Sequence, residues 1–398
     1  MKVTKIEVLE ADLSGRDGTA SWRHVMARVH TDEGVSGLGE VGMSYGTGAP
    51  AAAPMILTLG ERFILGADPF HTETVWEHML RRTFWAEGGG GPVIFGAMSA
   101  IDTALWDIKG QVLGQPIHRL LGCATPPPLR CYASQLQLGW GQEAAWLSAP
   151  AQYREVAIQA REEGFDCIKV DPVMLDAQGK RAVDLRGIFT PAQRKLIRQR
   201  MEATRDGLGP DVDIIVELHS LTSTAGALQI AELVQDLGIL FLEEPTHNNN
   251  AHAQLKMARK SPIPLATGER LYTRWGFLPY LEAGAIDMIQ PDVGLVGGIS
   301  EAWKVAQLAH AYDVGVQAHV CGSPLATAVA LQFEAAIPNF EIHEHHAYAL
   351  RRCNRELFEQ DLQPKDGHFV VPTAPGLGMT LRPEAERQMI KTSVSLSK

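Results

Sequence analysis

The 398-residue sequence predicts an α/β protein, a parallel (β/α) barrel with an α+β segment before it and a tail after it. Three observations carry this expectation. Eight short apolar runs, at 129–133, 167–170, 212–218, 239–242, 264–266, 285–289, 315–318 and 339–342, alternate with helical stretches. Their even spacing favours a closed barrel over its competitor, an open doubly wound sheet. Polar residues end run after run, at the edge where such barrels carry their chemistry.

Ahead of the barrel, residues 2–10 and 22–31 alternate as strands, the second followed by the turn Asp32-Glu33-Gly34. Gly37-Leu38-Gly39-Glu40-Val41-Gly42 matches Gly-x-Gly-x-x-Gly. A dinucleotide site needs that motif to open a helix, and the following Met43-Ser44-Tyr45-Gly46-Thr47-Gly48 is a poor helix start, so a plain β-turn is preferred to a nicotinamide oxidoreductase. Gly88-Gly89-Gly90-Gly91-Pro92 lacks the Lys-Ser/Thr of a phosphate loop and reads as a flexible connection. Met98, Ile101, Leu105, Ile108 and Val112 recur at helical spacing, and Gly114 and Pro116 end that helix. Thr125-Pro126-Pro127-Pro128 marks a boundary, which gives a first segment at 1–125 and a barrel at 126–360. The Pro-punctuated tail at 361–398 is too irregular for another unit and is expected to return to the first segment. One unit, 172–212, is about 20 residues longer than its neighbours and predicts a loop or short helix over the barrel mouth.

With 45% hydrophobic and 21% charged residues the chain is not disordered, and a net charge of −10 disfavours nucleic acid or an anionic membrane as partner. No apolar run approaches the roughly 20 residues of a membrane helix. The first residues, Met1-Lys2-Val3-Thr4-Lys5-Ile6-Glu7-Val8, have no signal-peptide core, and Cys123, Cys131, Cys167, Cys321 and Cys353 are scattered without a Cys-x-x-Cys pair. Reduced thiols in a cytoplasmic protein are the expectation.

Glu217, Glu243 and Glu269 end three consecutive strand candidates with one βα unit between each pair. Any one of them alone reads as a solvated surface residue; three in phase face one point, where they would repel and take up protons unless a divalent cation joined them. All-oxygen ligation selects Mg²⁺ or Mn²⁺ over zinc. Side chains two apart on a strand share a face, so His219 is expected beside Glu217, and Lys169 and Asp171 form a similar pair on the second strand. Asp292 and His319 end the sixth and seventh strands, within reach of each other across roughly 4.8 Å. They form a general base, or alternatively a structural ion pair. Glu344 ends the eighth strand candidate, facing the substrate; the neighbouring His343, His345 and His346 read as a rim loop rather than a zinc site.

These motifs resemble the mandelate racemase/muconate-lactonizing branch of the enolase superfamily. The resemblance spans essentially the whole chain: Thr31-Asp32-Glu33-Gly34-Val35-Ser36-Gly37-Leu38-Gly39-Glu40, Ser99-Ala100-Ile101-Asp102-Thr103-Ala104-Leu105-Trp106-Asp107-Ile108-Lys109-Gly110, Glu243-Glu244-Pro245, Gly268-Glu269 and the Asp292 and His319 pair. It implies a (β/α)7β TIM-like barrel under an α+β capping domain made from both termini, one Mg²⁺ per subunit on Glu217, Glu243 and Glu269, and a homo-oligomer. It also implies removal of the proton α to a carboxylate, with the cation offsetting the enediolate charge. Where relatives carry a second lysine base this chain has Asp171, which argues against a two-base racemase. His219 stands where acid-sugar dehydratases of the galactonate and mannonate types keep a histidine, although 172–212 lacks the tyrosine of the mannonate type, and Glu217 replaces the more usual Asp. The resemblance thus implies a carbon–oxygen lyase acting on an aldonate-type acid sugar. His319, supported by Asp292, takes the C2 proton, and His219 protonates the departing 3-hydroxyl. Lys169 lies near the substrate carboxylate; Glu344, Asp171 and Trp22 are expected at the substrate, with the cap segments 14–22 and 43–54 choosing it. A racemase, epimerase or cycloisomerase, or a silent sugar-acid binder, remain the alternatives.

Overall fold

A computed structural model describes residues 1–19, 21–46, 48–182 and 185–396. Ala20, Thr47, Val183 and Asp184, which fall within the cap segments and the long unit singled out above, lie outside the described residues.

The cap is an antiparallel sheet backed by helices. Strands β1 (Val3–Asp12), β2 (Arg23–Thr31) and β3 (Ser36–Glu40) pair in order, helices α1 (Ala49–Leu59) and α3 (Gly91–Leu113) pack on them, and α2 (Thr72–Arg82) packs on α3. The Gly-x-Gly-x-x-Gly run is therefore neither a turn nor a nucleotide loop. Its first half is β3, and its glycines allow α3 to lie against the strand. A Cβ at Gly37 would sit 2.1 Å from the Ala104 carbonyl oxygen, and one at Gly39 2.0 Å from that of Ala100. The predicted helix is longer than its apolar spacing showed. Pro92 lies in its first turn, where a missing N–H costs nothing, and Gly114, left-handed at φ +61°, ends it.

After the short α4 (Ile117–Leu120), the barrel strands are β4 (Leu129–Ser134), β5 (Cys167–Val170), β6 (Asp213–Glu217), β7 (Ile239–Glu243), β8 (Leu265–Thr267), β9 (Met288–Ile289), β10 (Gly315–Val316) and β11 (His343–His346). They are parallel neighbours in the order β10-β9-β8-β7-β6-β5-β4-β11. Val316 closes the ring, accepting from Glu341 N (3.0 Å) and donating to Asn339 O (2.8 Å) just before β11. Helices α5 (Pro150–Glu162), α6 (Pro191–Leu208), α7 (Thr224–Val234), α8 (Ala251–Ala258), α9 (Thr273–Glu282), α10 (Ile299–Ala311) and α11 (Pro324–Glu334) alternate with the strands. Several begin on side-chain caps: Thr190 accepts from Gln193 N ahead of α6, Ser223 from Gly226 N ahead of α7, and Ser323 from Leu325 N ahead of α11. The tail returns through β12 (His368–Phe369), which pairs with β4, and β13 (Ile390–Ser395), which adds an edge to the cap sheet beside β1.

One expectation holds in its first form and one needs correction. The described extra residues of the long unit form a loop, and α6 beyond it is the ordinary barrel helix. The loop is tied down by Arg200, 1% exposed, whose guanidinium donates to the carbonyls of Ser148, Pro172, Leu175 and Asp176. The eighth strand lies after 339–342, so His343, Glu344, His345 and His346 form a buried strand rather than a rim loop. The apolar run is only its approach, because the hydrogen-bond ladder with β4 starts at His343 and Cys131.

His345 lies parallel to Phe165 (6.1 Å, 10°) and edge-on to Trp140 and Phe369. Burial pushes its pKa down from 6.5 to about 3. Below pH 6.5 the unfolded chain takes up a proton that the folded ring refuses, so stability falls as pH drops from 6.5 toward 3, by about 1.4 kcal/mol per pH unit. In urea unfolding between pH 6 and 4, His345→Phe is expected to flatten the pH dependence by about that slope.

Candidate active site

Parallel pairing builds the centre of the site. Glu217 and Glu243 are register partners at the ends of β6 and β7, and Glu269 follows two residues after β8. The three side chains are 0%, 1% and 6% exposed, and one oxygen of each lies within 4.8 Å of the others. Oε2 of Glu217 and Oε2 of Glu243 have no hydrogen-bond partner among the described residues. Leaving a buried carboxylate oxygen unsatisfied costs about 1–3 kcal/mol or more. Close, buried, unsatisfied and all-oxygen, this donor set fits a hard divalent cation such as Mg²⁺.

Lys169, also fully buried, sits against the same carboxylates. Its Nζ donates to Glu243 Oε1 (2.6 Å), is 2.8 Å from Glu344 Oε1, and is 3.5 Å from Glu217 Oε2. Burial opposes its charge, but Glu243 and Glu344 outweigh burial and hold its pKa well above 10.5. Burial and the neighbouring Glu217 push Glu243 up, whereas in Glu344 burial is outweighed by Lys169 and the pKa falls. These two residues differ from their expected roles. Lys169 is a counter-charge packed among carboxylates. Glu344 lies inside β11, where Oε1 accepts from Ser134 Oγ (2.5 Å) as well as facing Lys169, and Oε2 accepts from Val320 N (2.9 Å). With both oxygens engaged by the protein, it is part of the floor of the site.

Imidazoles flank the carboxylates on either side. His319 Nδ1 lies 2.8 Å from Asp292 Oδ2, and Nε2 lies 3.4 Å from Glu269 Oε2. An ionised carboxylate can only accept, so Nδ1 carries a proton, and whenever the ring is neutral its lone pair is on Nε2, facing the site. On the other flank, His219 Nδ1 lies 2.6 Å from Asp171 Oδ2, and Gln135 Nε2 is 3.4 Å from His219 Nε2. Burial disfavours the charged form of either ring. The nearby acids win, Glu269 and Asp292 for His319, Glu217 and Asp171 for His219, and each ring is lifted to about 10. A divalent charge on Glu217 and Glu269 would cancel part of that pull.

His219 reaches the site by a different route from the one its sequence spacing suggests. β6 ends at Glu217, and His219 (φ +46°) and Ser220 (φ +53°) are both left-handed, as is Glu244 (φ +43°) after β7. A tight turn, pinned by Ser220 N to Glu244 O (2.9 Å) and by His219 N to Glu217 Oε1 (2.6 Å), aims the ring back over the carboxylates. Strained backbone of this kind costs on the order of 1–3 kcal/mol per residue and concentrates at functional sites. Asp171 also changes role. Its Oδ1 accepts from Val173 N and Met174 N (2.7 Å each) and its Oδ2 holds His219, so it orients the imidazole. Trp22 is 1% exposed and its indole N–H goes to His24 Nε2 (2.9 Å). It stacks on Tyr348 (3.9 Å) and Tyr45 (6.0 Å), a buried support for rings nearer the mouth.

Sequence reasoning missed two features. Gln135, left-handed just past β4, stands beside His219; its position at a strand end was the available signal. Glu244, buried, is ion-paired with Arg270, whose Nε is 3.2 Å from Glu244 Oε1 and 3.4 Å from Glu269 Oε1. Each directly follows a carboxylate of the triad in sequence, which was the clue.

Comparison with known proteins agrees with this architecture. Residues 15–122 match the mandelate racemase/muconate lactonizing enzyme N-terminal domain, and residues 152–385 match the enolase C-terminal domain-like model. The chain is 30% identical over 391 residues to a D-xylonate dehydratase of Haloferax volcanii, covering 98% of this chain and 90% of that protein. A solved structure from Zymomonas mobilis ZM4, named a candidate dehydratase, superposes with a TM-score of 0.96 at 42% identity, covering 99% and 100% of the two chains. A member of the enolase superfamily from Salmonella Typhimurium gives 0.95 at 44% identity, again covering 99% and 100%. Dehydration is the activity that recurs among these names, and the chain is an enzyme of the hydro-lyase class. Matched across both halves and by a relative spanning nearly its whole length, the chain belongs to the mandelate racemase/muconate lactonizing enzyme family of the enolase superfamily.

Proposed function

We propose that this enzyme is a Mg²⁺-dependent dehydratase of an aldonate-type acid sugar, removing the proton α to the carboxylate and eliminating the 3-hydroxyl to give a 2-keto-3-deoxy acid. The observation that carries the reading is the pair of Asp-held imidazoles on the two flanks of a buried carboxylate triad. Glu217, Glu243 and Glu269 would hold the cation, which supplies positive charge beside the substrate carboxylate and so acidifies its α-proton. His319 takes that proton at Nε2, since Asp292 fixes the other nitrogen as a donor. His219 gives a proton to the leaving hydroxyl, and Asp171 keeps the ring oriented and favours its charged form. Lys169 and Arg270 limit the repulsion among the acids while substrate, itself an anion, enters a protein of net charge −10.

The same two-sided arrangement supports a second reading, an epimerase in which His219 acts as the second base. The dehydratases among the relatives favour elimination, and D-xylonate, named in one of them, is the first substrate to try.

Incubating D-xylonate and a panel of other aldonates with the enzyme and Mg²⁺ in D₂O is expected to release a 2-keto-3-deoxy acid. Exchange at C2 without loss of water would favour the epimerase. His319→Asn is expected to lose both exchange and product by about 10²–10⁴-fold, whereas His219→Asn retains C2 exchange and loses elimination. In thermal melts, Mg²⁺ at about 100 times its Kd is expected to add about 2.7 kcal/mol to the parent protein. Glu243→Gln should abolish that gain.

A further inference from the structure

The last glycine of the Gly-x-Gly-x-x-Gly run meets a different element from the first two. Gly42 leaves β3 and meets the turn after β9: its N–H donates to Gly294 O (2.9 Å), while Gly294 N donates to Asp292 Oδ1 (2.7 Å). The two backbones touch with no side chain between them, since a Cβ on Gly294 would come 2.6 Å from Gly42 N. A Cβ on Gly42 would have as its three nearest atoms the carboxyl group of Asp292, at 2.5 Å from Oδ1, 2.8 Å from Cγ and 2.8 Å from Oδ2. Gly42 does not have a positive φ, so alanine suits its backbone and the collision with Asp292 is what a methyl group would introduce. Space to yield is scarce. A cavity of about 20 Å³ beside the pair, lined by Gly42, Asp292, His319 and Ala326 among others, has room for about one water and not for a displaced carboxylate.

We propose that Gly42 is a positioning residue, a wall on the cap that holds the Asp292 carboxylate in place against His319. The cap thereby sets the geometry of the base as well as covering the site. This rests on His319 being the base, but its first two tests need neither substrate nor metal.

The full-length protein is made as Gly42→Ala, Asp292→Ala and the double variant. Thermal melts are expected to show Gly42→Ala lowering the melting temperature of the parent but leaving that of Asp292→Ala unchanged, because the collision partner is gone. The hydrogen-bonded Nδ1 proton of His319 gives a downfield NMR resonance, identified by its loss in Asp292→Ala, and Gly42→Ala is expected to shift or remove it. With any aldonate that is turned over, Gly42→Ala should cut kcat by about 10–100-fold at nearly constant KM, as small misplacements of catalytic groups do. An equal loss of melting temperature with and without Asp292, or an unmoved His319 resonance, would overturn the proposal. Absence of turnover on every aldonate would count against the dehydratase reading and leave the melt and resonance results to decide this one.

Discussion

Mutual repulsion among Glu217, Glu243 and Glu269 is the constraint around which the site is arranged. Oxygens within 4.8 Å of one another repel by at least about 3 kcal/mol per pair at an effective dielectric near 20. The barrel imposes the proximity, because parallel register gives each strand end no other place to go. Counter-charge therefore comes from every direction the fold offers. Lys169 approaches from the next strand, Arg270 reaches Glu269 while paired with Glu244, and the two histidines stand at the ends of the row. Lys169 is shared with Glu344 as well, and two triad oxygens still lack a hydrogen bond among the described residues. The donor set fits a divalent ion, which would complete this balance.

The two flanks use one device twice. In each, a buried aspartate accepts a hydrogen bond from Nδ1 of an imidazole and leaves Nε2 toward the centre. Their supports differ. Asp171 is fixed by amides of its own loop, Val173 and Met174, so the His219 side is built within the barrel. Asp292 is fixed by Gly294 and bordered by Gly42, and the segment after His319 is tied to the cap through Ser323, which donates to Glu40 from its backbone N (3.1 Å) and its hydroxyl. Glu40 in turn holds His24 (2.6 Å), which accepts from Trp22. The His319 side is thus assembled from two parts of the chain that are far apart in sequence.

That difference explains what could be read from residues alone. The carboxylate triad was legible because a repeating βα unit turns equal spacing in sequence into equal height in space, and the Asp292 and His319 pair followed from the same logic. His219 was correctly brought near Glu217, but for a reason that does not hold, since a left-handed turn and not strand alternation delivers it. The substrate roles expected of Asp171 and Glu344 rest on strand position alone, and a sequence does not show which hydrogen bonds a buried acid already makes. The eighth strand was placed too early because apolar content locates the approach to a ladder, whereas pairing with Cys131 decides where the ladder starts. The glycine run was hardest: what each glycine avoids lies on α3 or after β9, and no local pattern reveals it.

Arg200 has a consequence for how the mouth opens. One guanidinium fastens the carbonyl of Ser148, ahead of α5, to those of Pro172, Leu175 and Asp176, beyond β5. Both stretches are thereby moored to the same helix, α6, and neither can swing without the other. One buried side chain thus braces two stretches of the rim, and its loss would loosen both together.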